Sequence, residues 1–119
     1  MPTIAPFRAL RYNLDAVGDL SRVVAPPYDV ISPAQQAQLY EASPHNVVRL
    51  IYGKQFPQDS NADNRYTRAK QTFDAWQRER VLVQDAHPAI YLYEHTFAFQ
   101  GESFRRLGIV ALLELGEST

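Results

Sequence analysis

The segment Val24-Ala25-Pro26-Pro27-Tyr28-Asp29-Val30-Ile31-Ser32-Pro33 constrains this chain more than any other. Two adjacent prolines fix two φ angles and remove two backbone donors. The residue ahead of each is driven into extended conformation. An apolar, strand-like run therefore stops in a stiff, extended turn. That turn carries Tyr28 and Asp29, and Ser32-Pro33 then opens a helix with Ser32 as its N-cap and Pro33 in its first turn. Rigid loops that fix a polar side chain are where proteins place binding and catalysis. Asp29 as a plain turn residue or cap is the simpler reading of the same residues.

The chain has 119 residues, which at about 100–150 residues per domain makes a single domain. Its 45% hydrophobic residues suffice for one core. With 12 Lys+Arg against 13 Asp+Glu the charge nearly cancels, which argues against a general nucleic-acid coat or a polybasic membrane binder. The absence of cysteine excludes disulfides, thiolate chemistry and cysteine-ligated zinc. His45, His87 and His95 do not form a helical metal pair. No apolar run reaches the ~18 residues of a membrane span, and Met1–Leu10 lacks the apolar core of a signal peptide. The expectation is a cytoplasmic protein.

Ile4–Tyr12 reads as a first strand, at an edge because Pro6 cannot donate to a ladder. Leu20–Ala25 reads as a short strand. The helix opened by Ser32 is expected to run to about Ala42, where Ser43-Pro44 breaks it. Asn46–Tyr52 reads as a strand ended by Gly53, and Lys54–Ala62 as a polar, mobile loop. Tyr66, Ala69, Phe73 and Trp76 recur at helical spacing, which predicts a helix from about Asp63 to Arg80 capped by Asp63 or Asn64. The period then changes. Ala89–Phe99 and Ser103–Leu113 predict a β-hairpin around Gln100-Gly101. The apolar second strand needs a cover, and Gly116–Thr119 offers none. That leads to the expectation of a longer protein or an intimate homo-oligomer.

Two places have the residue types for chemistry. Asp29 is the only acid between Leu20 and Tyr40, so it stands as a lone carboxylate suited to general-base work, magnesium ligation or hydroxyl binding. Asp63-Asn64-Arg65-Tyr66-Thr67-Arg68 begins the long helix. Helix starts carry free amide donors and partial positive charge, and Asn64, Arg65, Thr67 and Arg68 add the donors that phosphate needs. Cations at that end oppose the helix dipole, which favours an anionic ligand. An N-cap followed by a solvated polar face accounts for the same residues. Arg49 lies inside an otherwise apolar run, where a charge wants a partner or a ligand.

Four ordered blocks carry a family resemblance: Ala5-Pro6-Phe7-Arg8-Ala9-Leu10-Arg11-Tyr12, Val24 to Ser32, Ser43-Pro44-His45-Asn46-Val47-Val48-Arg49-Leu50, and Asp63-Asn64-Arg65-Tyr66. Together they resemble the N-terminal part of the prokaryotic family known as domain of unknown function 1015, some of whose members are labelled ParB-like. Members are typically longer, so the resemblance implies a front fragment, residues 1–119, of a larger protein. Asp63-Asn64-Arg65-Tyr66-Thr67-Arg68-Ala69 is also similar to the Gly-Glu-Arg-Arg-x-Arg-Ala block of ParB and sulfiredoxin-like proteins, where a loop-to-helix start binds nucleotide phosphates. Free-serine kinases belong to that superfamily and place a glutamate after a proline, ahead of a helix, as base for the serine hydroxyl. Pro27-Tyr28-Asp29 resembles that element, with Asp29 in the glutamate's place. Asp63 stands where the glycine is usual.

The fold expected is α+β, a small mixed sheet with two helices in a ParB/sulfiredoxin-like arrangement, followed by the hairpin. The resemblance implies a nucleotide-binding domain of a small-molecule kinase acting on free L-serine, using ATP or ADP with Mg2+. In it Asp29 is the base, Asn64, Arg65, Thr67 and Arg68 bind phosphate, and Tyr28 and Arg49 touch substrate. The alternative is a non-catalytic ParB-like regulatory or protein-interaction module.

Overall fold

The computed structural model describes residues 3–115, and they form an α+β protein. In chain order the elements are β1 (Ile4–Ala5), β2 (Leu10–Tyr12), α1 (Leu14–Val17), 3₁₀ turns at Leu20–Arg22 and Tyr28–Val30, and α2 (Pro33–Ala42). They continue with α3 (Val48–Ile51), α4 (Arg65–Arg78), β3 (Leu82–Gln84), β4 (Tyr91–Phe99), β5 (Glu102–Val110) and β6 (Leu112–Leu113). The chain divides into two compact units. One comprises the residues up to Leu10 and those from Gln84 onward, the other Arg11–Val83. β2 pairs with β3.

In the first unit β4 and β5 form an antiparallel hairpin, in register from Tyr91 opposite Val110 to Phe99 opposite Glu102. Its two-residue turn places Gln100 at φ 53° and Gly101 at φ 80°. Two positive φ angles match the right-handed strand twist, and the glycine meets that demand without strain. β1 pairs antiparallel with β6. Tyr91 ties the entry to the hairpin: its hydroxyl accepts from the Ala9 amide and donates to the Asp85 carboxylate. Much of the hairpin's apolar surface is open, with Leu92 and Ile109 exposed.

The second unit holds the core of Trp76, Val81 and Leu82, against which Tyr12, Val17 and Leu50 pack. α4 has well-defined ends. Asn64 caps it, accepting from the Tyr66 and Thr67 amides, while Thr67 Oγ1 accepts from the Asn64 amide. This reciprocal pair satisfies the first orphan donors. At the far end the Val81 amide donates to Trp76 O and the Arg80 amide to Gln77 O, with Arg80 at φ 61°. That is a Schellman stop, and its apolar contact is the Trp76–Val81 pair in the core.

α2, α4 and the hairpin match their expected positions. Three expected strands do not hold as read. Ile4–Tyr12 is divided into β1 and β2, joined by a bridge at Phe7 opposite Ala89. Leu20–Ala25 contains a 3₁₀ turn because Asp19 accepts from the Ser21 amide and starts it as a cap. Asn46–Tyr52 becomes α3: Asn46 Oδ1 accepts from the Val48 amide at 2.9 Å, an Asx turn that outweighs the β-branched residues following it. Beside the hairpin, in place of one small mixed sheet there are two two-stranded sheets, β1 with β6 and β2 with β3, and in place of two α-helices, four, among the described residues. Gly116–Thr119 lies outside the described residues.

Candidate functional site

The site lies in the Arg11–Val83 unit and starts from Asn46, which is fully buried. Its side-chain amide donates to the carbonyls of Arg22 (2.9 Å) and Val24 (3.0 Å). The Val47 amide adds a bond to Val23 O. This anchors α3 beneath the segment leading into the double proline. Arg49 on α3 then reaches α2: its guanidinium carbon lies 4.3 Å from the centroid of the Tyr40 ring and Nη2 donates to Tyr40 O. The Tyr40 hydroxyl accepts from the Lys54 amide at 2.9 Å, and Lys54 Nζ is 4.6 Å from the same ring.

Arg49, Lys54, Arg65 and Arg68, with Tyr40, line a cavity of about 210 Å³. The four cations differ in their partners. Arg68 is paired with Asp59 and with Asp63, and these contacts push its pKa further up, the Asp59 hydrogen bond most. Arg49, Lys54 and Arg65 have no carboxylate within ion-pair distance among the described residues. Arg49 Nε and Arg65 Nε are buried with no hydrogen-bond acceptor. An unmade bond at a buried charged donor costs about 1–3 kcal/mol or more, so two at one cavity mark a place where an acceptor is missing. Cation–π contacts, of Arg49 with Tyr40 and of Arg65 with Tyr52 and Tyr66, offset only part of this, at about 0.5–2 kcal/mol each.

A second cavity of about 280 Å³ adjoins the first at Gly53 and Arg65. Tyr28, Tyr52 and Tyr66 line it. Pockets for drug-sized ligands begin at about 300 Å³. Each cavity alone therefore suits one small group, and the joined pair suits a larger molecule.

The sequence-derived site residues fall into four groups. Arg49 and Arg65 line the cationic cavity, and Arg65 with Tyr28 lines the tyrosine cavity. Arg68 lines the cationic cavity but is bound to Asp59, Asp63 and Lys54 O. Asn64 and Thr67 are engaged in capping α4. Asp29 lies in the exposed 3₁₀ turn Tyr28–Val30 and lines neither cavity. Tyr40, Tyr52, Gly53 and Lys54 were not singled out by sequence reasoning. A lysine after a glycine and tyrosines at the ends of two helices carry no signal until α2, α3 and α4 are packed.

Among the described residues no three His, Asp or Glu side chains are grouped so as to hold a metal ion, and no helix is long and apolar enough to cross a membrane. The described side chains form no cage for Mg2+, an ion that accompanies nucleotides largely through phosphates and waters.

The chain belongs to the family described as protein of unknown function, DUF1015, whose profile matches residues 4–119. No curated protein and no solved structure matches it.

Proposed function

We propose that the Arg11–Val83 unit binds a nucleotide through its phosphates at the Arg49–Lys54–Arg65 cavity, as part of a cytoplasmic small-molecule kinase. One observation carries this reading: two arginines, each with a buried Nε that has no acceptor, line the same cavity, alongside a lysine without a carboxylate partner among the described residues. Phosphate oxygens are the acceptors such donors fit, and arginine holds them with directional, charge-assisted bonds. The resemblance of Asp63–Ala69 to the phosphate-binding block of ParB and sulfiredoxin-like proteins supports the same reading, and a fold of that kind belongs to the proposal. The anion is held here by side chains, because Asn64 occupies the amides at the start of α4.

The reaction proposed is transfer of a terminal phosphoryl group to the hydroxyl of free L-serine. The hydroxyl oxygen forms the new bond to phosphorus, the bond to the leaving nucleotide breaks, and Asp29 takes the hydroxyl proton. Asp29 suits this as a carboxylate held in a proline-stiffened turn. The position of Asp29 outside both cavities favours the second reading, a regulatory module that binds without chemistry.

Calorimetric titration with inorganic pyrophosphate tests the anion site. Saturable binding is expected, weakened by salt and reduced about 10–100-fold by Arg49→Ala or Arg65→Ala, the equivalent of about 1.4–2.8 kcal/mol for a lost charged hydrogen-bond set. A double variant that binds like the wild type sinks the site. Incubation with ATP or ADP, Mg2+ and L-serine tests the chemistry. O-phosphoserine that Asp29→Asn abolishes supports the kinase, and nucleotide binding without product leaves the regulatory module.

A further inference from the structure

The tyrosine cavity has a composition that phosphate binding does not explain. Tyr28 comes from the double-proline turn, Tyr52 from the end of α3 and Tyr66 from the first turn of α4. Their convergence leaves two large rings in the open, Tyr28 at 62% and Tyr66 at 74% exposure. Isolated exposed aromatics need no explanation, but two on the rim of one cavity do. The Tyr28 and Tyr52 rings lie 6.4 Å apart at 38°. The Arg65 guanidinium carbon stands 5.4 Å from the centroids of both Tyr52 and Tyr66. No protein group among the described residues bonds to the three phenol hydroxyls, so they are open to a ligand.

Arg65 and Gly53 line both cavities. A Cβ at Gly53 would lie 3.6 Å from Tyr40 Oη and 3.7 Å from Arg65 Cβ, between groups of the two cavities. Gly53 thus lines both cavities with backbone alone. A ligand spanning the pair meets cations at one end and aromatic faces with hydroxyl edges at the other. Planar heteroaromatic rings match the second end: they stack on tyrosine and on guanidinium planes, and their edges bond to hydroxyls.

We infer that the Tyr28–Tyr52–Tyr66 cavity is the base subsite for a nucleoside diphosphate whose phosphates occupy the Arg49–Lys54–Arg65 cavity, with Arg65 bridging the two. This rests on the phosphate reading above, and the probes separate the two claims. Pyrophosphate reports the cationic cavity alone and ADP reports both.

Calorimetric titrations of the full 119-residue chain with each probe are expected to show ADP at least tenfold tighter than pyrophosphate, since stacking on one aromatic face is worth about that much. Tyr28→Ala and Tyr66→Ala change exposed side chains, so both variants keep the wild-type thermal melt. Each is expected to lower ADP affinity about tenfold and leave pyrophosphate affinity unchanged. Equal affinity for the two probes, or Tyr variants that bind ADP like the wild type, overturns the base subsite while the phosphate site stands. A wild-type chain that binds neither probe overturns both.

Discussion

Arg68 meets Asp59 end-on, Nη1 to Oδ1 and Nη2 to Oδ2 at 3.0 Å each. The same Nη2 donates to Lys54 O at 2.8 Å, and the guanidinium carbon lies 5.0 Å from the centroid of the Phe56 ring. One side chain on α4 thus clasps both ends of the segment from Lys54 to Asp59. Bidentate pairing fixes geometry as well as charge, so Arg68 acts through position: it holds the backbone that presents Lys54 to the cationic cavity.

Arg68→Ala is therefore expected to free this segment. Limited proteolysis between residues 54 and 63 should become several-fold faster, and pyrophosphate binding should weaken. Asp59→Asn removes no cation yet should open the segment in the same way. Arg68→Lys, which keeps charge and loses the fork, should fall between Arg68→Ala and the wild type. If Asp59→Asn leaves both proteolysis and binding unchanged, the clasp is wrong and Arg68 serves as a direct anion ligand.

The clasp sets an acid limit. The Arg68 hydrogen bond, with help from the Phe56 amide, holds the Asp59 carboxyl below its usual range. A depressed pKa in the folded state means stabilisation that is complete above the ordinary aspartate value of about 3.9 and lost as pH falls through the lower, folded value. The segment should stay closed at pH 5 and open only below about pH 3.9. The carbonyl carbon shift of Asp59, followed by NMR through an acid titration, reads this directly. A midpoint at or above the ordinary value contradicts it.

Legibility in the sequence followed the range of the interactions. α2 and α4 were readable because their signals are local: Ser32 and Pro33 start one, Asn64 and Thr67 cap the other, and Trp76 recurs on a helical face. The hairpin was readable from Gln100-Gly101 between two apolar runs. α3 was not, since Val47, Val48 and Ile51 favour strands, and the Asn46 side chain that makes the Asx turn is held in place by Arg22 and Val24, more than twenty residues away. The same reach explains the site. Arg49 and Arg65 drew attention as charges with no local reason. Tyr40 and Lys54 became relevant only when three helices met. Tyr66 fitted the apolar face of α4 by spacing, yet it is exposed and lines a cavity, ten residues before the buried Trp76.

Tyr12 gives an alkaline counterpart. Burial pushes its phenol up to about 12, and its hydroxyl donates to His45 O at 2.6 Å. A raised folded pKa means a contribution fully present below the unfolded value of about 10 and lost as pH rises through the folded one. Stability should fall between about pH 10 and pH 12 in the wild type, and Tyr12→Phe should flatten that fall at the cost of one hydrogen bond. Denaturant melts at stepped pH, read through Trp76 beside Tyr12, check it. A wild-type slope matching that of Tyr12→Phe rules it out.

Asn46 is the position where fold and site depend on the same atoms. Its side chain serves two carbonyls and one amide, and its backbone carbonyl accepts from the Arg49 amide at 3.2 Å. Asn46→Ala leaves the Val48 amide buried and unpaired, and the part-buried Arg22 and Val24 carbonyls without their donor, beside Val23 and Val48, both fully buried. Unmade buried bonds cost about 1–3 kcal/mol each, partly relieved by relaxation, so a loss of about 2–4 kcal/mol is expected. Asn46→Asp separates packing from bonding. It keeps the shape and the acceptor for the Val48 amide, but turns an oxygen toward the Arg22 and Val24 carbonyls that received the amide protons. It should therefore be at least as unstable as Asn46→Ala, although it conserves volume. Denaturant melts compare the three chains. If Asn46→Asp matches the wild type, volume rather than hydrogen bonding fixes this position, and Asn46 no longer accounts for the helical start of α3 or the placing of Arg49.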